Sequence, residues 1–145
     1  MDSGAYLYLK EKGFSKKEIE KLEENEFIWE ASRNRCDFIV NFFLDKDFTM
    51  DEIHKYFIEY PNIVSEHPNR LIRIDEILDN IEFTNEDKKK LVFSNYEVYS
   101  ANPLELKKIV DYLRTINNDE LKKEVFMNSE YLAEDFDKVK TLIRK

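Results

Sequence analysis

The sequence FSKKE at residues 14–18 recurs as FTMDE at residues 48–52 and as FTNED at residues 83–87. Each copy places a hydroxyl residue three positions before an acidic one. This is the pattern of a capping box, in which both side chains bond backbone N–H groups at the start of a helix. In the first two copies the phenylalanine before the box can pack on Ile19 or Ile53 as a hydrophobic staple, whereas the third copy has Lys88 at that position and loses the staple. The spacings of 34 and 35 residues therefore predict a repeated helical unit.

The second half of each unit repeats as well. Apolar positions 71, 74 and 78 align with positions 106, 109 and 113, and with positions 36, 39 and 43, at a shift of 35 residues. Their helical spacing gives each long helix one apolar face, which a single repeat cannot bury. Stacking of neighbouring repeats would bury these faces in a continuous core. The sequence therefore predicts an all-α fold, a short helical-repeat solenoid of about four repeats of 33–35 residues.

Each repeat is predicted to contain a long helix, a short helix and a second long helix. We expect a single helical-repeat domain over residues 1–145, with a cap helix at 5–12 and repeats at 13–47, 48–82, 83–116 and 117–145. The first helices are predicted at 16–24, 50–59, 85–94 and 119–127. The short elements are predicted at 26–31, 61–65, 96–100 and 129–133, and the second helices at 33–45, 68–80, 103–116 and 135–144. Asn118 is the expected cap of the fourth repeat.

The composition narrows the function classes. The chain has only two glycines, which excludes the glycine-rich loops that cradle phosphates. Its net charge of −8 disfavours simple binding to nucleic acid or to anionic membranes. One cysteine, no secretory leader and no long apolar run predict a cytoplasmic protein without membrane contact.

The repeated pattern resembles a known family. The segments GFSKKEI at residues 13–19 and YPNIV at residues 60–64 look like the repeat of mitochondrial transcription termination factors, the mTERF-like fold. The resemblance covers about residues 12–144. It implies a helical repeat with a short third helix and nucleic-acid binding along a basic concave surface.

Aromatic residues cluster around the short elements of the repeats. We take Trp29, Tyr60, Tyr96 and Tyr99 as candidate partner-binding residues, because Trp and Tyr are favoured as interface anchors. The alternative is that these rings pack between repeats, and the sequence leaves both open.

Basic residues offer a second candidate surface. Positions 35 and 70, like positions 73 and 108, coincide at the repeat shift of 35 and could form a ladder along a phosphate backbone. The nucleic-acid candidates are Arg35, Arg70, Arg73, Lys107 and Lys108. The alternative is that these cations lie on solvated faces and are balanced by carboxylates.

The residues that could carry catalysis are few. Cys36 lies on an apolar helix face, and His54 and His67 have no partners at the spacing of metal ligands. We therefore expect no enzyme activity, no metal and no cofactor. The leading interpretation is a non-enzymatic interaction protein that binds a macromolecular partner, foremost another protein. The alternative is nucleic-acid binding through the basic ladder, and a homodimer through the last repeat is left open.

Overall fold

The computed structural model describes residues 1–25, 28 and 31–143. Over these residues the chain is helical, with turns and no strand, which confirms the all-α prediction. It divides into two compact units, Met1–Pro68 and Asn69–Lys145. The expected single repeat domain and its solenoid arrangement stay predictions. Among the described helices, none has the length and apolar character that crossing a bilayer requires.

The described part of the first unit is made of α-helices and 3₁₀ segments. They include α1 (Ser3–Glu11), α2 (Lys16–Glu23), α3 (Arg33–Leu44) and α4 (Met50–Glu59), followed by the 3₁₀ helix Pro61–Ser65. The predicted short element at 26–31 falls largely outside the described residues.

In the second unit a 3₁₀ helix follows each pair of α-helices. It contains α5 (Pro68–Asn80), α6 (Asn85–Ser94), the 3₁₀ helix Val98–Ser100, α7 (Pro103–Ile116), α8 (Leu121–Met127), the 3₁₀ helix Ser129–Tyr131 and α9 (Phe136–Ile143). Helix α5 begins at Pro68, which is the last residue of the first unit, and its other residues belong to the second unit. The predicted bounds agree with the observed ones to within two residues at most helix ends.

All three predicted capping boxes are present. At the start of α2, Ser15 Oγ accepts from the N–H of Glu18 at 3.1 Å, and Glu18 accepts from the N–H of Ser15 at 2.8 Å. The same reciprocal pair starts α4 at Thr49 and α6 at Thr84. These bonds satisfy N–H groups that the first turn of a helix leaves without partners.

The fourth repeat starts differently from the prediction. Helix α8 begins at Leu121, and no side chain caps it. Asn117, not Asn118, accepts from the N–H of Glu120, at 3.3 Å. The expected cap at Asn118 is therefore wrong, because the helix begins too late for that side chain to reach its first turn.

The core of the first unit is built around aromatic rings. Phe43 on α3 is fully buried, and its ring centroid lies 5.1 Å from that of Phe48 and 5.2 Å from that of Tyr56. Ile39 and Ile53 are equally buried. The predicted apolar face of residues 33–45 therefore points into this core.

The core of the second unit is mainly aliphatic. Of the predicted apolar positions of α5 and α7, Ile77 is partly exposed and the others are buried: Leu71, Ile74, Leu78, Leu106, Ile109, Val110 and Leu113. The polar residue Lys88 also lies in this core, with 4% exposure. It takes the place that Ile19 and Ile53 hold in the two earlier capping-box helices.

Candidate protein-binding surface

The aromatic candidates differ in exposure. Tyr60 and Tyr96 are partly exposed, and Trp29 lies outside the described residues. Tyr60 ends α4 and stacks on Tyr56, with the ring centroids 6.3 Å apart. Tyr96 makes an edge contact with Phe93 at 6.1 Å. Each of these two rings packs against another aromatic ring and is also partly accessible to solvent.

Tyr99 must be removed from the partner-binding candidates. Its side chain is fully buried, and its hydroxyl donates to Asp75 Oδ1 at 2.9 Å. A buried ring with a satisfied hydroxyl packs the core and offers no anchor to a partner. For this residue the packing alternative is correct.

Two of the basic candidates bind the protein's own backbone. Arg35 Nη1 donates to the carbonyl of Ser65 at 3.1 Å, and Arg70 Nη1 donates to the carbonyl of Ser100 at 3.4 Å. Each arginine thus reaches the last residue of a 3₁₀ helix 30 positions later in the chain. The two contacts hold a long helix against the following short one, so part of each cation's function is structural.

The lysine candidates are paired with carboxylates. Lys107 Nζ lies 2.9 Å from Asp111, and Lys108 Nζ lies 3.2 Å from Glu105. Both pairs lie along α7, with Glu105 partly buried and the other three side chains exposed, and such pairs contribute only tenths of a kilocalorie per mole. Their positive charge is nevertheless partly balanced before a phosphate could approach. Arg73 is exposed on α5.

A different surface, on the outer side of α3, combines aromatic rings with carboxylates. We call it the α3 face and define it by Asn34, Asp37, Phe38, Asn41, Phe42 and Asp45. These side chains line a groove of about 570 Å³. They follow the spacing of a single stripe along a helix, on the side away from Ile39, Val40 and Phe43.

The rings of the α3 face form a short aromatic strip. Phe38 and Phe42 stack with centroids 6.1 Å apart and an angle of 26°. Both are partly exposed, while Phe42 also makes an edge contact with the buried Phe43 at 5.2 Å. That contact anchors the strip to the core, so the rings present a fixed apolar surface.

Polar groups flank the strip. Asp37 and Asp45 are exposed, and Asn41 Nδ2 donates to Asp37 at 3.2 Å. Lys46, in the turn after α3, places Nζ 3.9 Å from the centroid of the Phe42 ring. The negative face of an aromatic ring attracts a cation at such a distance. The α3 face therefore already binds one ammonium group.

The α3 face was missed in the sequence interpretation, which assigned only the core-facing stripe of this helix. A signal was present, since Phe38 and Phe42 stand four residues apart and off that stripe. An apolar pair on a second side of a helix is typical of an interaction surface.

Cys36 and His54, the residues considered for catalysis or metal binding, pack against other parts of the protein. Burial raises the pKa of the Cys36 thiol to about 12, so it stays protonated at neutral pH. His54 stacks on Phe14 with centroids 3.8 Å apart, and its Nε2 lies 3.0 Å from the carbonyl oxygen of Lys12. Across the described ranges, no three His, Cys, Asp or Glu side chains are placed to hold a metal ion.

These features define an all-helical protein with an acidic and aromatic groove on one helix. Comparison of the chain with protein-family models, with curated proteins and with solved structures gives no match.

Proposed function

We propose that this chain is a non-enzymatic interaction protein that binds another protein through the α3 face. The observation that carries the proposal is the combination of partly exposed Phe38 and Phe42 with the carboxylates of Asp37 and Asp45 in one groove. Aromatic rings supply contact area at a low cost in conformational entropy, and a polar rim supplies specificity.

The scaffold of this surface is, in our proposal, a short helical repeat of the mTERF-like kind. Three local features that recur at the predicted period support it. The capping boxes recur at Ser15, Thr49 and Thr84. The arginine-to-carbonyl contacts recur at Arg35 and Arg70. A residue with positive φ stands two positions before each box, at Gly13, Asp47 and Glu82.

Direct nucleic-acid binding is the weaker candidate. It requires a row of cations free to contact phosphates. Of the five candidate cations, two donate to backbone carbonyls and two lie beside carboxylates. The net charge of −8 adds repulsion at long range.

The proposal is tested by site-specific photo-crosslinking. A photoreactive phenylalanine analogue replaces Asn41, which is exposed within the α3 face, and the protein is irradiated in extract from its native cells. The matched control carries the analogue at Glu20, which is exposed on α2. We expect a discrete protein adduct at position 41 that is missing at position 20, with the crosslinked peptide identified by mass spectrometry.

Two results would count against the proposal. The first is the same set of adducts at both positions, which would indicate contact without a specific surface. The second is salt-sensitive binding of labelled DNA or RNA, measured by fluorescence anisotropy at about 50 and 200 mM salt. If charge reversal at Arg73 removed that binding, the nucleic-acid function would take first place.

A further inference from the structure

We infer that the α3 face takes a lysine-bearing basic segment of the partner protein, and that Lys46 holds the cation position on Phe42 until that segment displaces it. This inference rests on the proposed function and adds the chemistry of the partner and a built-in competitor.

The geometry at Phe42 shows that the ring accepts an ammonium group. Lys46 Nζ lies 3.9 Å from the ring centroid, well within the range of about 6 Å in which a cation is attracted to an aromatic face. Lys46 belongs to the turn after α3, where its N–H donates to the carbonyl of Phe43 at 3.0 Å. The backbone is held by this bond, while the four-carbon stem can swing away without unfolding the helix.

The charge of the groove fits a cationic ligand. The six residues that define its lining supply two carboxylates, two amides and two aromatic rings, and the Lys46 ammonium lies over one of those rings. Asp37 and Asp45 stand eight positions apart, so they lie on the same side of the helix, about 12 Å apart along its axis. The carboxylates of Asp37 and Asp45 would repel a phosphate. Each of them would attract the cationic side chain of a lysine or arginine.

The length of the groove fits a short peptide segment. From Asn34 to Asp45 the α3 face extends over eleven residue steps, about 16 Å of helix. An extended segment of about five residues covers that distance. Two or three lysines in such a segment can reach Phe42 and both carboxylates at once, which a free cation cannot do.

The test measures binding of a labelled nonapeptide with three lysines by fluorescence anisotropy at about 50 mM salt. Peptides with glutamine or glutamate in place of lysine are the matched ligands. We expect the wild-type protein to bind the lysine peptide at least tenfold more tightly than the glutamine peptide, and not to bind the glutamate peptide. The double variant Asp37→Asn/Asp45→Asn should bind the lysine peptide about tenfold more weakly.

The competitor is tested with Lys46→Met. Removing the internal cation should tighten binding of the lysine peptide about three- to fivefold, because the ring becomes available and no ammonium must leave it. Lys17→Met, on α2, is the control, since it changes the net charge equally at an exposed site away from the groove. Phe42→Leu keeps an apolar side chain but loses the ring, so it should bind as weakly as the acidic double variant. Circular dichroism verifies the fold of each variant.

Each outcome is decisive for one claim. If Lys46→Met and Lys17→Met change binding equally, displacement of Lys46 is wrong. If neither wild type nor Lys46→Met prefers the lysine peptide, the basic ligand is wrong. In that case a protein adduct specific to position 41 would leave the proposed function standing, whereas its loss would remove both.

Discussion

Left-handed backbone occurs, among the described residues, at Gly13, Asp47 and Glu82. Each one directly precedes a buried phenylalanine: Phe14, Phe48 or Phe83. In every case the phenylalanine N–H donates to the carbonyl five residues earlier, for example from Phe83 to Leu78 at 3.1 Å. This is the Schellman motif, which satisfies carbonyl groups at the end of a helix and normally favours glycine.

Replacing Glu82 by glycine should stabilise the protein. Glu82 has φ 63°, a conformation that costs an L-residue about 1–2 kcal/mol, while glycine loses about 0.5–1 kcal/mol of unfolded-state entropy. We expect Glu82→Gly to raise the free energy of unfolding by about 0.5–1 kcal/mol, measured by urea denaturation. The control is Gly13→Ala, where φ is 91° and the change should destabilise. A loss of stability in Glu82→Gly would mean that the carboxylate contributes more than the backbone strain costs.

Lys88 is a buried cation whose charge is balanced by two carboxylates. Lys88 Nζ lies 3.1 Å from Asp75 Oδ1 and also bonds Asp79, and Tyr99 donates to the same Asp75 oxygen. Burial alone would lower the pKa of Lys88, but the hydrogen bonds and charges of Asp79 and Asp75 outweigh it and raise the pKa. The amine is therefore charged at neutral pH, although it occupies an apolar position of the repeat.

Lys88→Met should destabilise the protein by about 2–4 kcal/mol, because it leaves the largely buried Asp75 carboxylate without its cation. Since the pKa of Lys88 is raised, its contribution is complete below the ordinary pKa of 10.5 and is lost only as the pH rises beyond that value. The deficit, measured in urea, should therefore be constant between about pH 6 and 9. The double variant Lys88→Met/Asp75→Asn should recover part of it. A single variant as stable as wild type would show that the ion pair contributes nothing net.

At the level of elements, helix starts depend on contacts both within and between helices. The capping box of α6 shows this, because Asp87 accepts from the N–H of Thr84 at 2.9 Å and lies 2.9 Å from Lys122 on α8. Helix α8, which has no side-chain cap of its own, is thus joined to the capped start of α6. The Asp87 carboxylate therefore both caps the start of α6 and forms an ion pair with α8.

Asp87 should make stability depend on pH in acid. Partial burial would raise its pKa, but Lys122 and the N–H and hydroxyl of Thr84 stabilise the carboxylate, and the pKa is lowered. Such a group stabilises the fold above its unfolded pKa, and this stability is lost as the pH falls through the folded pKa. We expect Asp87→Asn to cost about 0.5–1 kcal/mol at pH 7 and to equal wild type well below pH 3.8.

The matched control for this experiment is Glu86→Gln, an exposed carboxylate on the same first turn. Urea denaturation between pH 2.5 and 7 should show a smaller and flatter difference for this variant than for Asp87→Asn. A cost of Asp87→Asn that persists at the lowest pH would show that shape, and not charge, is the source of the stabilisation.

On the scale of the whole molecule, the chain consists of two compact units, Met1–Pro68 and Asn69–Lys145. Each has a core of its own, aromatic around Phe43 in the first unit and aliphatic around Leu106 and Ile109 in the second. A core of this kind can support independent folding of a part of a repeat protein.

A fragment of residues 67–145 should fold alone. It keeps Pro68 at the first helical position of α5 and all the buried residues of the second unit. We expect a helical circular dichroism spectrum and a cooperative urea transition. As a control, Leu106→Ala in the fragment should lower the transition midpoint strongly, because it opens a cavity in a fully buried site. An unfolded fragment would instead indicate one cooperative domain over the whole chain, as the repeat pattern predicts.

Prediction from sequence succeeded where the signal was local. The caps of Ser15, Thr49 and Thr84 and the bounds of α4, α5 and α7 follow from short motifs and apolar spacing. The candidate site was predicted less well. Tyr99 and Tyr60 look alike in the sequence, yet one is fully buried and the other partly exposed. Exposure depends on contacts between residues distant in the chain, which periodicity does not encode.

The sequence by itself determined that this protein is helical and where most of its helices begin and end, with the start of α8 as an exception. Those properties arise from interactions over three to six residues, in capping boxes and Schellman turns. Only the tertiary structure decided which side chains remain accessible. It buried Lys88 and Tyr99 around Asp75, directed Arg35 to a carbonyl 30 residues away, and left Phe38 and Phe42 accessible beside carboxylates. The physical reason is that burial and charge pairing are set by packing between elements, and packing is not a local property of the chain.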